Sequence, residues 1–258
     1  MWLLVAQAAC GEVIQLQAAM LRHGNAGASS ILFILRNSGD EAARAIRIEG
    51  RLAGVSLVRE LPDLEPDSEQ DAEFDFPASA MPRGLHAAEF LIRYHDANGY
   101  PFSSPQAVLV DRGAPAPAAE IAAHVEPLVL ADTGRLRLWL TLPEGASPVN
   151  VRVRILAPDE LVCEAPDRTL ALFPGRPVLV EAAVSNRSGR AGSDYPVFAV
   201  VSATHTNGVL ESLAEGRVRV KGGGLGDYSW PPAALGAAVI LLTAFFLAQR
   251  KGGGERAA

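Results

Sequence analysis

Cysteine is close to absent. Of the two in the chain, Cys10 lies in an apolar N-terminal run and Cys163 stands alone, so no disulfide framework can replace a hydrophobic core. Aromatic residues make up 6%, and of the three Trp only Trp139 lies in the body, Trp2 and Trp230 belonging to its flanks. Lysine is confined to Lys221 and Lys251, and the other basic residues are Arg. With 29 acidic against 23 basic residues the formal net charge is −6, and the tail after Ala248 carries Arg250, Lys251 and Arg256, which leaves the body more acidic still. An acidic body excludes a nucleic-acid partner, whose phosphates demand a basic face. Catalytic and metal signatures are missing too. His23, His86, His95, His124 and His205 are dispersed, with no HExxH, CxxC or His-x-His spacing, and no GxSxG or phosphate-cradling glycine loop occurs. The sequence therefore assigns no catalytic, cofactor-binding or metal-binding residue and predicts no enzyme and no cofactor.

What is present suits a folded, anchored protein. Half the residues are apolar (49%), enough for one or two domain cores and too many for a disordered chain. The run AALGAAVILLTAFFLA from Ala233 to Ala248 is sixteen residues without charge, about 24 Å as a helix. Counted from Trp230 it reaches roughly 28 Å, close to the hydrocarbon thickness of a bilayer. Tyr228 and Trp230 stand where interfacial aromatics are expected, Pro231 and Pro232 suit a helix start, and Gln249-Arg250-Lys251 forms a basic stop. A transmembrane helix is thus expected over residues 230–249. The positive-inside rule puts the tail 250–258 in the cytoplasm and the body outside the membrane, periplasmic or extracellular. Export needs a signal, and MWLLVAQAA before Cys10 resembles a short one, with an Ala6-Gln7-Ala8 cleavage-like triplet and no basic n-region. Lipidation of Cys10 is the alternative, although Gln7 occupies the position where lipoprotein signals carry Leu or Val.

The body reads in period two. Arg135 to Leu142 alternates polar and apolar residues apart from Trp139, and Val149 to Ile155 repeats the pattern. Further strands are predicted at 13–20, 30–35, 45–52, 71–76, 87–94, 107–110, 177–184, 195–203 and 217–220, punctuated by Gly, Pro and Asn. The fold class expected is all-β, with two tandem Ig-like β-sandwiches at residues 11–112 and 124–221. A Pro/Ala linker at 113–123 divides them, and a Gly-rich juxtamembrane linker at 222–229 leads to the helix. The halves look like repeats: Leu64-Glu-Pro66 and Leu172-Phe-Pro174, Gly84 and Gly192, and Phe90 and Phe198 are each 108 residues apart, while Asn98-Gly99 and Asn207-Gly208 differ by 109.

Leu32 to Ile48 with its Asn37-Ser-Gly39 turn, then Leu64-Glu-Pro66, then Phe90-Leu-Ile-Arg-Tyr94-His-Asp-Ala-Asn98-Gly99, resembles bacterial and archaeal Ig-like surface domains of the cell-adhesion-related (CARDB) type. The resemblance covers roughly residues 12 to 220. Asp67 stands where the bend glycine of that pattern would be, and Gly175 keeps it in the second copy. The resemblance implies a fold and a surface role without a catalytic residue.

Three local features invite chemistry. Asp63, Glu65, Asp67, Glu69, Asp71, Glu73 and Asp75 occupy every odd position, which is either a stripe for a cation or basic partner or a solvated face that guards a sheet edge. His95, Asp96, Ser103 and Ser104 would be the parts of a hydrolase, although Tyr94 to Tyr100 reads more simply as a hairpin end, and the Ca²⁺-loop-like Asp96-Ala-Asn98-Gly99 as a turn. Tyr94, Tyr100, Phe102 and Tyr195 could form a sugar platform. Asn186-Arg-Ser188 fits a glycosylation sequon. The function expected is a membrane-anchored, non-catalytic binding or scaffold module with a protein partner; an envelope polysaccharide is the alternative ligand, and a hydrolase the remaining one.

Overall fold

A computed structural model describes residue 14 and residues 16–25, 28–113, 121–164, 169–205 and 208–222. The signal-like segment 1–10, most of the linker 113–123, the juxtamembrane segment beyond Gly222, the transmembrane segment 230–249 and the tail 250–258 lie outside them. Among the described residues no helix is long and apolar enough to cross a membrane.

The described residues are β apart from one short 3₁₀ turn at Ala78–Ala80, and their sheets layer as sandwiches. The strands are β1 (Leu16–Asn25), β2 (Ala28–Asn37), β3 (Arg44–Leu52), β4 (Val55–Leu61), β5 (Glu69–Pro77), β6 (Gly84–His95), β7 (Pro101–Arg112), β8 (Ala122–Val125), β9 (Leu128–Leu130), β10 (Thr133–Thr141), β11 (Val149–Leu156), β12 (Leu161–Glu164), β13 (Leu170–Leu172), β14 (Val178–Asn186), β15 (Asp194–His205) and β16 (Gly208–Val220). They form a sheet β1-β2-β5, a sheet β12-β14-β10-β8, and one long sheet β13-β11-β15-β16-β6-β3-β4, with β7 on β6 and β9 on β16. Alternation decides the faces. In β10, Leu136, Leu138 and Leu140 are buried while Arg135 and Arg137 are exposed. In β5, Ala72, Phe74 and Phe76 are buried between exposed Asp71, Glu73 and Asp75.

Two hydrophobic cores result. The first, in the N-terminal half, centres on Phe33, Phe74 and Phe90, with Phe90 5.2 Å from Phe33 and 5.1 Å from Phe74 between ring centroids. The second, in the C-terminal half, is aliphatic, built on Leu136, Leu138, Leu140, Val153, Val197 and Val201. Both halves belong to one compact unit among the described residues up to Lys221. They join where β16 runs parallel to β6, Val209 opposite Gly84 and Leu210 opposite Leu85, with the Val209 amide donating to the Arg83 carbonyl at 3.1 Å. The backbones meet so closely that a Cβ on Gly84 would lie 1.9 Å from the Val209 carbonyl oxygen, and one on Gly208 2.3 Å from that of Arg83. Both glycines also sit at positive φ, 139° and 149°, so only glycine fits this crossing.

Residues 108 apart in the sequence are equivalent at some positions and not at others. Leu64 and Leu172 are both fully buried, and Asp67 (φ 55°) and Gly175 (φ 67°) share the left-handed bend. The offset fails further on. Phe90 points into its own core, whereas Phe198, 1% exposed, alternates with core residues Val197 and Ala199 and so faces the other side of β15. Gly84 makes the close crossing, while a Cβ on Gly192 would meet open space.

Candidate functional site

Two of the features singled out for chemistry, the group of Asp96 and Ser103 and the aromatic rings, converge on the seam between the halves. Asp96 closes the β6–β7 turn: its Oδ1 accepts from the amides of Asn98 at 3.0 Å and Tyr100 at 2.8 Å. Gly99 supplies the positive φ of 78° that the turn requires. Ser103 is buried, and its hydroxyl donates to Glu160 Oε2 at 2.6 Å and accepts from the Asp159 amide at 2.6 Å, while its own amide donates to Glu160 Oε1 at 2.8 Å. His95, half-buried, stands opposite Pro101 in the β6–β7 register. Ser103, His95 and Asp96 therefore assemble no triad, since the hydroxyl is committed to Glu160 and the aspartate to a turn.

The four rings expected as a platform are also committed. Tyr94 is buried and stacks on Phe102 at 5.5 Å, and Tyr100 meets Phe102 edge-on at 5.1 Å. The Arg190 guanidinium, from the other half, covers Tyr100 and Phe102 at 4.6 and 4.5 Å from their centroids and reaches Asp96 at 3.4 Å. Tyr100 donates its hydroxyl to the Ser188 carbonyl at 2.8 Å, and the Tyr195 hydroxyl accepts from the Arg190 amide at 2.7 Å. Burial pushes the Tyr94 hydroxyl well above the usual tyrosine range and raises that of Tyr195 as well.

Further along the seam the contacts become ionic. Glu211, buried on β16, accepts from the Ala87 amide at 2.6 Å and the Ser202 hydroxyl at 2.5 Å. Arg154 lies between Glu89 and Glu211, and Arg93 pairs with Asp159 at 2.6 Å and Glu49 at 3.2 Å. Burial raises the pKa of Glu89 despite Arg154, and burial also raises that of Glu160, whereas Arg51 and Arg93 hold that of Glu49 down. Apolar packing completes the joint: Ser103, Pro105 and Ala107 of β7 share the outer face of Leu91 and Arg93 yet are buried, and β15, which carries Phe198 and Val200, packs against β7. A cleft of about 560 Å³ opens at the seam, with Arg51, His86, Glu89, Arg154 and Glu211 among its walls.

The remaining features have structural explanations. Strand β5 is the edge of its sheet, and its acidic row faces outward; the Ser30 hydroxyl bonds Asp75, and Asp63 accepts from the Ala45 amide at 3.0 Å. Among the described residues no cluster of His, Cys, Asp and Glu is arranged to hold a metal. The Cys163 thiol is unpaired, and burial pushes its pKa up to about 11, which makes it a poor nucleophile. The Asn186 side chain closes a tight turn with Gly189, accepting at 2.6 Å and donating at 3.2 Å. Trp139 faces outward from β10 and donates its indole N–H to Glu126 at 2.6 Å. Residue Cys10 and residue Asn207 lie outside the described residues.

Sequence reasoning missed Glu160, Arg190, Arg154 and Glu211, whose roles depend on partners 57, 94, 65 and 124 residues away. No local motif marks them in the sequence, because each acts on a partner that only the fold brings near.

No family model and no curated protein matches the sequence. Among solved structures, the chain is similar to a protein of unknown function from Porphyromonas gingivalis W83, at 14% identity over 79% of this chain and 99% of that chain, with a TM-score of 0.31. It is similar to red sea bream transglutaminase at 9% identity over 78% and 31%, TM-score 0.29, and to the FN1–FN3 domains of chicken CNTN1 at 14% over 79% and 66%, TM-score 0.22.

Proposed function

We propose that this protein is a non-catalytic binding or scaffold module held outside a membrane. Its body is two Ig-like β-sandwiches of the cell-adhesion-related type in tandem, and its anchor is a transmembrane helix over residues 230–249 with the tail in the cytoplasm. Each half places two layers, antiparallel apart from the β9–β16 pair, around one core, with a long hairpin, β6–β7 or β15–β16, on one of them. The apolar run Ala233 to Ala248 supplies enough length for the anchor.

The observation that carries the reading is the commitment of the side chains singled out as a hydrolase or sugar platform. Ser103, Asp96, Tyr100 and Phe102 are engaged by Glu160 and Arg190 of the other half, and besides the ion-paired cleft at the seam the described surface offers strand edges, loops and the acidic row of β5. Such a surface contacts a protein partner. In-membrane crosslinking of the full chain should capture one reproducible protein, with His95→Ala without effect and deletion of residues 233–248 abolishing capture. Turnover of a substrate that vanishes with a single well-folded side-chain variant would contradict the reading.

A further inference from the structure

Glu160 occupies an unusual position for a carboxylate. It is 3% exposed, at the seam, and its side chain is held by neutral donors: the Ser103 amide and hydroxyl, both from the opposite half, and its own backbone amide. The cations nearby are committed elsewhere, Arg93 on β6 to Asp159 and Arg190, in the loop after β14, to Asp96. Of the remaining titratable neighbours, Asp159 in its own turn carries a like charge that disfavours ionisation of Glu160, while Tyr94 on β6 and Tyr195 on β15, both raised by burial, stay neutral and supply no counter-charge. The Arg187 and Ser188 amides bond the Glu160 backbone carbonyl, at 2.9 and 3.2 Å, and leave the carboxylate without a counter-charge.

We propose that the seam is an acid-tightened joint: proton uptake by Glu160 favours the closed arrangement of the two halves, and its ionisation favours their parting. Closure removes the Glu160 carboxylate from water, and the cost of that burial is far larger for the charged form. Opening returns the carboxylate to water, where the ionised form is favoured. A protonated Glu160 still accepts from the Ser103 amide at its carboxyl Oε1, and at Oε2 it donates to the Ser103 hydroxyl instead of accepting from it. The direction of the raised Glu160 pKa agrees with this, since burial is its largest cause.

Amide hydrogen exchange on the full-length chain, corrected for intrinsic rates, tests the joint at the Ser103 amide. Protection there should rise several-fold as the pH falls from 8 to 5, while the Leu138 amide, inside the core of the C-terminal half, keeps its protection. The Glu160→Gln variant, neutral at every pH, should hold the high protection throughout. Protection at Ser103 that is flat with pH in the wild type, or pH dependence that survives in E160Q, would overturn the proposal. If E160Q does not fold, Ser103→Ala decides: loss of a donor to the ionised carboxylate should move the midpoint of the protection change to higher pH, and an unmoved midpoint would equally overturn it.

Discussion

Ser103 donates both its amide and its hydroxyl to the carboxylate of Glu160, at 2.8 and 2.6 Å, from one half of the molecule to the other. This contact makes β7 part of the joint and sets a direction for the pH dependence of stability. Burial raises the pKa values of Glu160 and Glu89 above the ordinary 4.5, so between that value and the raised ones the folded state binds more protons than the unfolded chain. Their contribution is complete below 4.5 and is lost as the pH rises through the folded values. Glu49, lowered by Arg51, acts in the opposite sense and only on the acid side of 4.5. Urea midpoints should therefore climb as the pH is lowered from 8 to 5, with a smaller climb in the Glu89→Gln, Glu160→Gln double variant. A wild-type midpoint that falls over the same range would contradict the assignment.

The crossing of β6 and β16 predicts a contrast between glycines. Gly84→Ala would force its Cβ to 1.9 Å from the Val209 carbonyl at a φ of 139°, and should cost at least about 3 kcal/mol by strain and clash together. Gly54→Ala, at φ 84° with open space around it, should cost only about 1 kcal/mol. Thermal unfolding of the two variants measures the difference, and equal costs would remove the crossing from the account.

Phe198 predicts a similar contrast between buried and exposed rings. It is 1% exposed on the outer face of β15, so Phe198→Ala should cost about 3–5 kcal/mol, as for a core phenylalanine. Phe173, 48% exposed, should change stability by less than about 0.5 kcal/mol when replaced by Ala. Chemical denaturation distinguishes these values; a near-neutral Phe198→Ala would mean that the face toward β7 is not packed.

Phe198 also shows what the sequence could and could not reveal. Period two identified two faces on most strands, and the alternation at Arg135 to Leu142 or Asp71 to Phe76 translates directly into exposed and buried rows. It cannot say which outer face another sheet covers, so the alignment of Phe90 with Phe198 matched residues that point in opposite senses. Strand β7 runs over Pro101–Arg112, longer than the 107–110 that the sequence pattern predicts, and it holds Pro101 and Pro105. Among the described residues it pairs with β6 alone, and prolines are tolerated where a strand lacks a second partner. Strand β4, with no buried residue in its pattern, gave no signal at all. The site was the least legible part: Asp96 and Ser103 were visible, but Arg190 and Glu160, which engage them, carry no local motif. The bend at Asp67, by contrast, was found by analogy with Gly175 and has the conformation that the analogy implies.

The acidic row gives a test of partner recognition. Asp71, Glu73 and Asp75 are exposed on an edge strand, so reversing all three to Lys should leave thermal stability within about 1 kcal/mol, given the small effect of single surface changes. Loss of the captured partner in that variant would make β5 a docking edge for a basic surface, and an unchanged partner would leave it a guard against edge pairing.

Membrane topology is the most direct test of the whole account. With a reporter fused after Ala258 and protease added outside intact spheroplasts, the account predicts cytoplasmic reporter activity together with digestion of the body before Tyr228, and release of that body when residues 233–248 are deleted. A protease-protected body with an externally accessible C-terminus, or a body that stays with the membrane after the deletion, would contradict it.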